Sequence, residues 1–421
     1  MSWRISPWRI SPGLIFALAA CGRVPLLSTV SVADAGLGLD AAPVVDLATP
    51  PDLTPPVPYP APHQPFPEVE NSGGEVLKYP KVVVITYDSD PLRKEMEDFS
   101  SKIGATSYWK TITAEYGVGE LTMSGTVHLA AAAPEMTTSS DIETWLVENL
   151  DGPDGPKEGW PKIEEETIYA VFYPAETTIE DRTGTSCRDY GGYHSEIQTT
   201  KGSVPYAVLP RCEGHGWGPG YSATTSSASH EYIEAVTDPF PFTNPAYQQI
   251  DQNHYLWTVF TGGGEVGDMC TQQPGARYRP ADFPYTVQRS WSNEAAKAGR
   301  DPCVPAEGDL YFNATVVTED VRLAGHKTKG LLVPVGKSKT YAVELFSTGP
   351  LDPWSISISS WGGSGVSAEL DRDMGQNGDK LTLTVSSSSR VQGGVAALYL
   401  VSSATVGSDR VEHYWPILVV Q

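Results

Sequence analysis

Residues 226–239 read SSASHEYIEAVTDP, and the geometry of this stretch decides how the chain is to be understood. As a helix it sets His230 and Glu234 one turn apart on one face, close enough for an imidazole and a carboxylate to grip one metal ion. Glu231 is rotated off that line, where it can serve as general base toward a metal-bound water, the part the Glu plays in an H-E-x-x-H helix. Ser226 or Ser227 is the expected N-cap, and Pro239 forces Asp238 out of helical geometry. A surface helix that merely carries one His and two Glu is the competing reading, so the assignment depends on what the flanking segments supply.

Upstream, residues 187–197 read CRDYGGYHSEI and set His194 in a Gly-rich turn. Downstream, residues 262–270 read GGGEVGDMC and present Glu265 and Asp268 beside a cysteine. A thermolysin-type site takes its third ligand from a later carboxylate, with another acid orienting a ligand histidine, and these two acids fill the roles in either order. Acids in such turns also satisfy backbone N–H groups without any ion. His194 and His254 are additional ligand candidates, His215 in EGHGWGPG is a weaker one, and Tyr255 or His254 is a candidate for steadying an oxyanion.

The 421-residue chain carries 51 acidic against 29 basic residues, a formal charge of −22, scattered as on a solvated surface. Nucleic acid is excluded as a partner, because phosphate contacts need clustered Lys and Arg. Residues 1–21 hold Arg4 and Arg9, an apolar run over residues 14–20, then Cys21. The run is too short for a permanent membrane span and reads as a signal peptide. The string LAAC at residues 18–21 resembles the bacterial lipobox, which implies lipid on Cys21 and a membrane-anchored outer-membrane or surface location.

Four further cysteines, Cys187, Cys212, Cys270 and Cys303, form an even set in an exported chain, so two disulfides are expected among three connectivities. Pairing Cys187 with Cys212 and Cys270 with Cys303 is favoured, each loop worth roughly 3 to 4 kcal/mol in chain entropy. A four-cysteine zinc site competes, but the spacing lacks any C-x-x-C pair.

Four regions follow from composition: a signal peptide with its lipobox Cys at 1–21, a Pro/Ala-rich disordered tether at 22–78, a metal-binding core at 79–304 and a β-sandwich at 305–421. The runs KVVVITY (81–87), TIYAVFY (167–173) and YAVLP (206–210) read as buried core strands. Asp90 with Pro91 opens a first helix, and Ser140 with Glu143 forms a capping box for a second. Strand, helix, helix, strand, strand and then the H-E helix is the order of a zincin-like α/β (α+β) core. After Pro305 the short alternating runs LYFNATVV, KTYAVELF, WSISIS, KLTLTV, VAALYLV and WPILVV indicate an all-β appendage. Neither G-x-x-x-x-G-K nor G-x-S-x-G occurs, which removes the usual support for P-loop nucleotide binding and serine hydrolysis.

Taken together, CRDYGGYHS, YAVLPRC, SHEYIEAVTDP, GGEVGDMC and VQRSWSN resemble exported bacterial lipoproteins carrying an H-E-x-x-E helix and described as zincin-like metallopeptidases, distantly similar to the plant phosphate-induced, Exordium-like family. The resemblance covers residues 81–303. It implies metal-helix roles for His230, Glu231 and Glu234 and the downstream acid at Asp268. The departure from zincins is Glu234 in place of a second histidine. One imidazole and two carboxylates suit Zn²⁺ and admit Ca²⁺ or Mn²⁺ as rivals.

Two functions are expected from these residues. One is a surface-anchored metallopeptidase in which Glu231 takes a proton from metal-bound water. The other is a non-catalytic envelope lipoprotein that binds cell-wall glycan or a protein partner, with eleven Trp and twenty Tyr supplying contact surface.

Overall fold

Two β-branched apolar runs form the centre of the computed structural model: strand Lys81–Tyr87 and strand Thr167–Tyr173, both buried along nearly their whole length. They sit inside a five-stranded sheet in the order Thr122–Leu129, Lys81–Tyr87, Thr167–Tyr173, Gly202–Pro210, Tyr193–Thr199. The first four strands are parallel and the last closes the edge antiparallel. Alternation then divides the side chains between two cores. Val82, Val84, Ile168, Phe172 and Leu209 join helices Arg93–Lys102, Ser107–Thr113 and Ser222–Thr237 on one face. Val83, Ile85, Tyr169, Val171 and Val208 join helix Ser139–Leu150 on the other. A sheet covered on both faces needs apolar residues at every position, which is why these runs do not alternate in polarity.

The structure describes residues 56–212, 221–323, 325–360 and 365–421. The signal peptide at 1–21 with Cys21, the first part of the tether and His215 lie outside the described residues.

Several helix ends differ from the sequence expectation. The central helix runs Ser222–Thr237, so Ser226 and Ser227 are interior rather than caps. Its other end falls at Asp238, before Pro239. Thr138, not Ser140, caps helix Ser139–Leu150 by accepting from the Asp141 N–H. Asp90 accepts from the Leu92 N–H at 2.9 Å and pairs with buried Arg211 at 2.6 Å, so the Asp-Pro turn precedes the helix, which begins at Arg93.

The C-terminal half is strand-rich. A four-stranded sheet (Phe312–Val316, Lys337–Ser347, Lys380–Ser387, Val366–Leu370) faces a six-stranded one built on strands Asp409–Val420 and Val395–Val406. Phe312 of the first packs 5.5 Å from Trp354 and 5.1 Å from His413 of the second, giving a sandwich-like core.

Two boundaries need correction. Residues 56–78 are not part of a loose tether: Phe66 is buried against Tyr311, Phe346 and Trp415, and strand Val69–Asn71 pairs with Tyr247–Ile250. Prolines exclude helix here, yet Ala61, Phe66, Val69 and Leu77 still gain from burial, and averaging over the prolines hides those four side chains. The division at 304/305 falls within one compact unit, because a single apolar core runs from the central helix through Leu256, Trp257 and Phe260 to Val321, Leu331 and Trp415.

Candidate metal centre

The central helix is buried nearly all round despite its Ser and Thr, so its polar groups need partners inside the protein. His230 Nε2 lies 3.1 Å from Glu234 Oε1 across one turn. Glu231 points to the neighbouring face, and its Oε2 lies 3.7 Å from His194 Nδ1. The same His194 nitrogen lies 3.5 Å from Glu234 Oε2. His194 reaches this position from the antiparallel edge strand Tyr193–Thr199, where it stands opposite Ala207.

The loop after Gly262 closes the other side. Asp268 Oδ1 lies 3.8 Å from His230 Nε2, and the Asp268 N–H donates to Glu234 Oε1 at 3.1 Å. Glu265 Oε1 lies 3.8 Å from His194 Nε2. Both expected disulfides are present: Cys270–Cys303 pins the end of this loop, and Cys187–Cys212 ties the segment before His194 to the end of strand Gly202–Pro210. Two glycines permit the close approach. A Cβ at Gly267 would stand 2.9 Å from both Glu234 Oε1 and His230 Nδ1, and one at Gly192 would stand 3.0 Å from Glu231 Cγ and Oε1.

Three overlapping donor sets result, each with ligand atoms within 4.8 Å of one another: His230, Glu234 and Asp268; His194, Glu231 and Glu234; His194, Asp238 and Glu265. Five carboxylates against at most two imidazolium charges would leave 2 − 5 = −3 if every group ionised. Such a charge is costly in a buried site and is relieved by protons or by a cation. Burial, then Glu234, pushes the Glu265 carboxyl well above its ordinary range, and burial likewise raises Asp238. Burial opposes protonation of His194, but Glu265, Glu231 and Glu234 reverse it and hold the imidazole well above its usual value. Glu234 is held low, burial being outweighed by the two imidazoles.

His230 is subject to two opposing influences. Burial lowers it, while Glu234, Glu231 and Asp268 draw it up to about 10, toward double protonation. Gln288 Nε2 donates to the Gly267 carbonyl at 2.9 Å, which fixes its amide orientation, and lies 2.8 Å from His230 Nδ1. A protonated Nδ1 would set donor against donor, so this Gln288 orientation suits a ring whose proton is on Nε2, facing Glu234, and works against the double protonation that the carboxylates favour. The buried His/Glu/Asp group can hold a metal ion: ligand types, count and spacing fit. Ligation by His230 Nε2 requires the ring proton to move to Nδ1 and Gln288 to turn.

Of the residues singled out in the sequence, His230, Glu231, Glu234, Asp268, Glu265 and His194 come together. His254 and Tyr255 do not: His254 bonds Asp251 at 2.8 Å and the Pro65 carbonyl at 3.1 Å, and Tyr255 stacks on His326 at 4.7 Å. Proximity in sequence was their one argument, and the 3₁₀ turn Gln252–Trp257 directs them to other partners. Asp238 and Gln288 were not anticipated. The Asp-Pro pair reads first as a helix stop, and nothing local to VQRSWSN marks Gln288 as a neighbour of His230.

No protein-family model matches the chain, and no curated protein matches it. Among solved structures, domains 4 and 5 of the S-layer protein SbsC match at 18% identity with a TM-score of 0.16, covering 26% of this chain and 54% of that one. The chain thus spans about half of that structure's length, and so poor a superposition carries no argument about fold or function.

Proposed function

We propose that this chain is an exported, metal-dependent hydrolase of peptide bonds with a zincin-like catalytic region. The observation that carries the reading is the convergence of His230 and Glu234, one helix turn apart, with Asp268 from the loop after Gly262, beside Glu231 of the same helix. His230, Glu234 and Asp268 would hold a divalent ion, Zn²⁺ first, with Mn²⁺ or Ca²⁺ as rivals because oxygen donors predominate. A bound ion of this kind polarises a carbonyl and acidifies a water. With such an ion bound, Glu231 would be the residue that takes a proton from a nearby water and hands it to the departing amine. His194, 3.7 Å away, orients the Glu231 carboxylate for that transfer. Two disulfides support folding in an oxidising compartment, and Cys21 would tether the chain to the membrane as a lipid-anchored envelope protein.

The test compares wild type with Glu231→Gln on a panel of peptides and denatured proteins, alongside elemental analysis. Cleavage that falls at least a hundredfold in a variant retaining its metal supports the reading. Equal inactivity of both proteins on every substrate overturns it in favour of a non-catalytic protein that binds envelope glycan or a protein partner.

A further inference from the structure

We infer that the cluster has a second cation position, held by His194 Nε2, Asp238 and Glu265 on the inner side of Glu234. The inference rests on the reading that this cluster binds metal, and adds a divalent ion of the Zn²⁺ or Mn²⁺ type apart from the one assigned to His230. Its three donor atoms lie within 4.8 Å of one another. His194 Nε2 is buried without a hydrogen-bond partner among the described residues, and buried Asp238 Oδ2 has only the Glu265 carboxyl beside it, a pairing of two acids that requires a shared proton or a cation. Buried polar atoms are rarely left so, and an orphaned nitrogen facing this pair of acids defines a place for a positive charge.

The surroundings prepare each ligand. His194 Nδ1 faces Glu234 Oε2 at 3.5 Å and Glu231 Oε2 at 3.7 Å, so these carboxylates favour a proton on that nitrogen, and a cation that displaces the other proton finds the Nε2 lone pair. Such backing orients and strengthens metal-binding histidines, and His230 lacks it, since Gln288 donates to its far nitrogen. The other Asp238 oxygen accepts from the Ala246 N–H at 2.6 Å, which aims Oδ2 inward. Asp238 also ends the central helix, where the backbone dipole favours a cation. Glu234 stands between the two positions, one oxygen toward each histidine.

The test loads the full chain with Zn²⁺ and counts ions by elemental analysis after dialysis, with circular dichroism of each variant. Two ions per wild-type chain are expected, one in Asp238→Asn, one in Asp268→Asn and none in the double variant. Glu265→Gln, in the loop rather than at the helix end, should also hold one, and it decides the matter should Asp238→Asn not fold. A single ion that survives both Asp238→Asn and Glu265→Gln but is lost in Asp268→Asn overturns the second position and leaves the first intact. A single ion with the reverse pattern keeps the second position and removes the metal from the proposed hydrolytic one. Absence of bound Zn²⁺ in the folded wild type overturns both.

Discussion

His194 Nδ1 lies 3.5 Å from Glu234 Oε2, joining an edge strand to the last turn of the central helix across 40 residues of chain. Glu234 turns its other oxygen to His230, 3.1 Å away, so one carboxylate faces two imidazoles. Removing Glu234 therefore exposes two histidines to each other, whereas removing either histidine leaves one partner in place. The site behaves as a connected group, and variants within it will not be additive.

Gly267→Ala should weaken metal binding while sparing the fold. The added methyl would sit 2.9 Å from Glu234 Oε1 and from His230 Nδ1, and those side chains must part to admit it. A loss of roughly 10- to 100-fold in Zn²⁺ affinity is expected, the usual effect of disturbing the support of metal ligands. Zinc titration followed by calorimetry measures it, with thermal melting of the metal-free protein as the control.

Gln288→Met should bind Zn²⁺ more tightly. It removes the N–H that faces His230 Nδ1 at 2.8 Å and that opposes the tautomer needed for ligation through Nε2. Relief of a conflict of about 1 kcal/mol corresponds to roughly fivefold in affinity. Unchanged or weaker binding would show that Gln288 turns without cost.

His413 should make the fold acid-sensitive well away from the metal cluster. Burial, aided by Arg289, drives its imidazole down to about 3, between the rings of Tyr311 and Phe312. The unfolded chain takes up this proton near pH 6.5 and the folded one does so only near 3. Unfolding is therefore favoured progressively as pH falls across that window, by up to about 1.4 kcal/mol per pH unit. His413→Phe should flatten the dependence by close to one proton, read from denaturant melts at about pH 7.5 and about pH 4.5, on either side of the ordinary imidazole range.

Phe66→Ala should destabilise the protein by about 3 kcal/mol, the cost of emptying a buried aromatic site. Its ring lies 5.6 Å from Trp415, 5.8 Å from Phe346 and 6.2 Å from Tyr311. A change below about 0.5 kcal/mol would restore the picture of a loose tether across residues 56–78.

Much of the architecture was legible because it is local. The strands at 81–87 and 167–173 follow from unbroken β-branched runs, the helix from its spacing and its stop before Pro239, and the C-terminal strands from alternation between turn residues. His230 and Glu234 share a face through helical pitch alone, whatever the helix packs against. Helix starts were misplaced because several Ser and Thr compete for each cap, and the central helix begins at Ser222 with no side-chain cap from Tyr221.

By itself the sequence determined what depends on near neighbours: strand runs, the one-turn pairing of His230 with Glu234, an even cysteine count and an acidic surface. Tertiary structure alone decided that His194 faces Glu231 and Glu234, that Asp238 and Gln288 belong to the same cluster, and that residues 58–421 fall within one compact unit. Periodicity is carried by backbone geometry residue by residue. Distances between segments are set by how sheets and helices pack, and no short window of sequence encodes them.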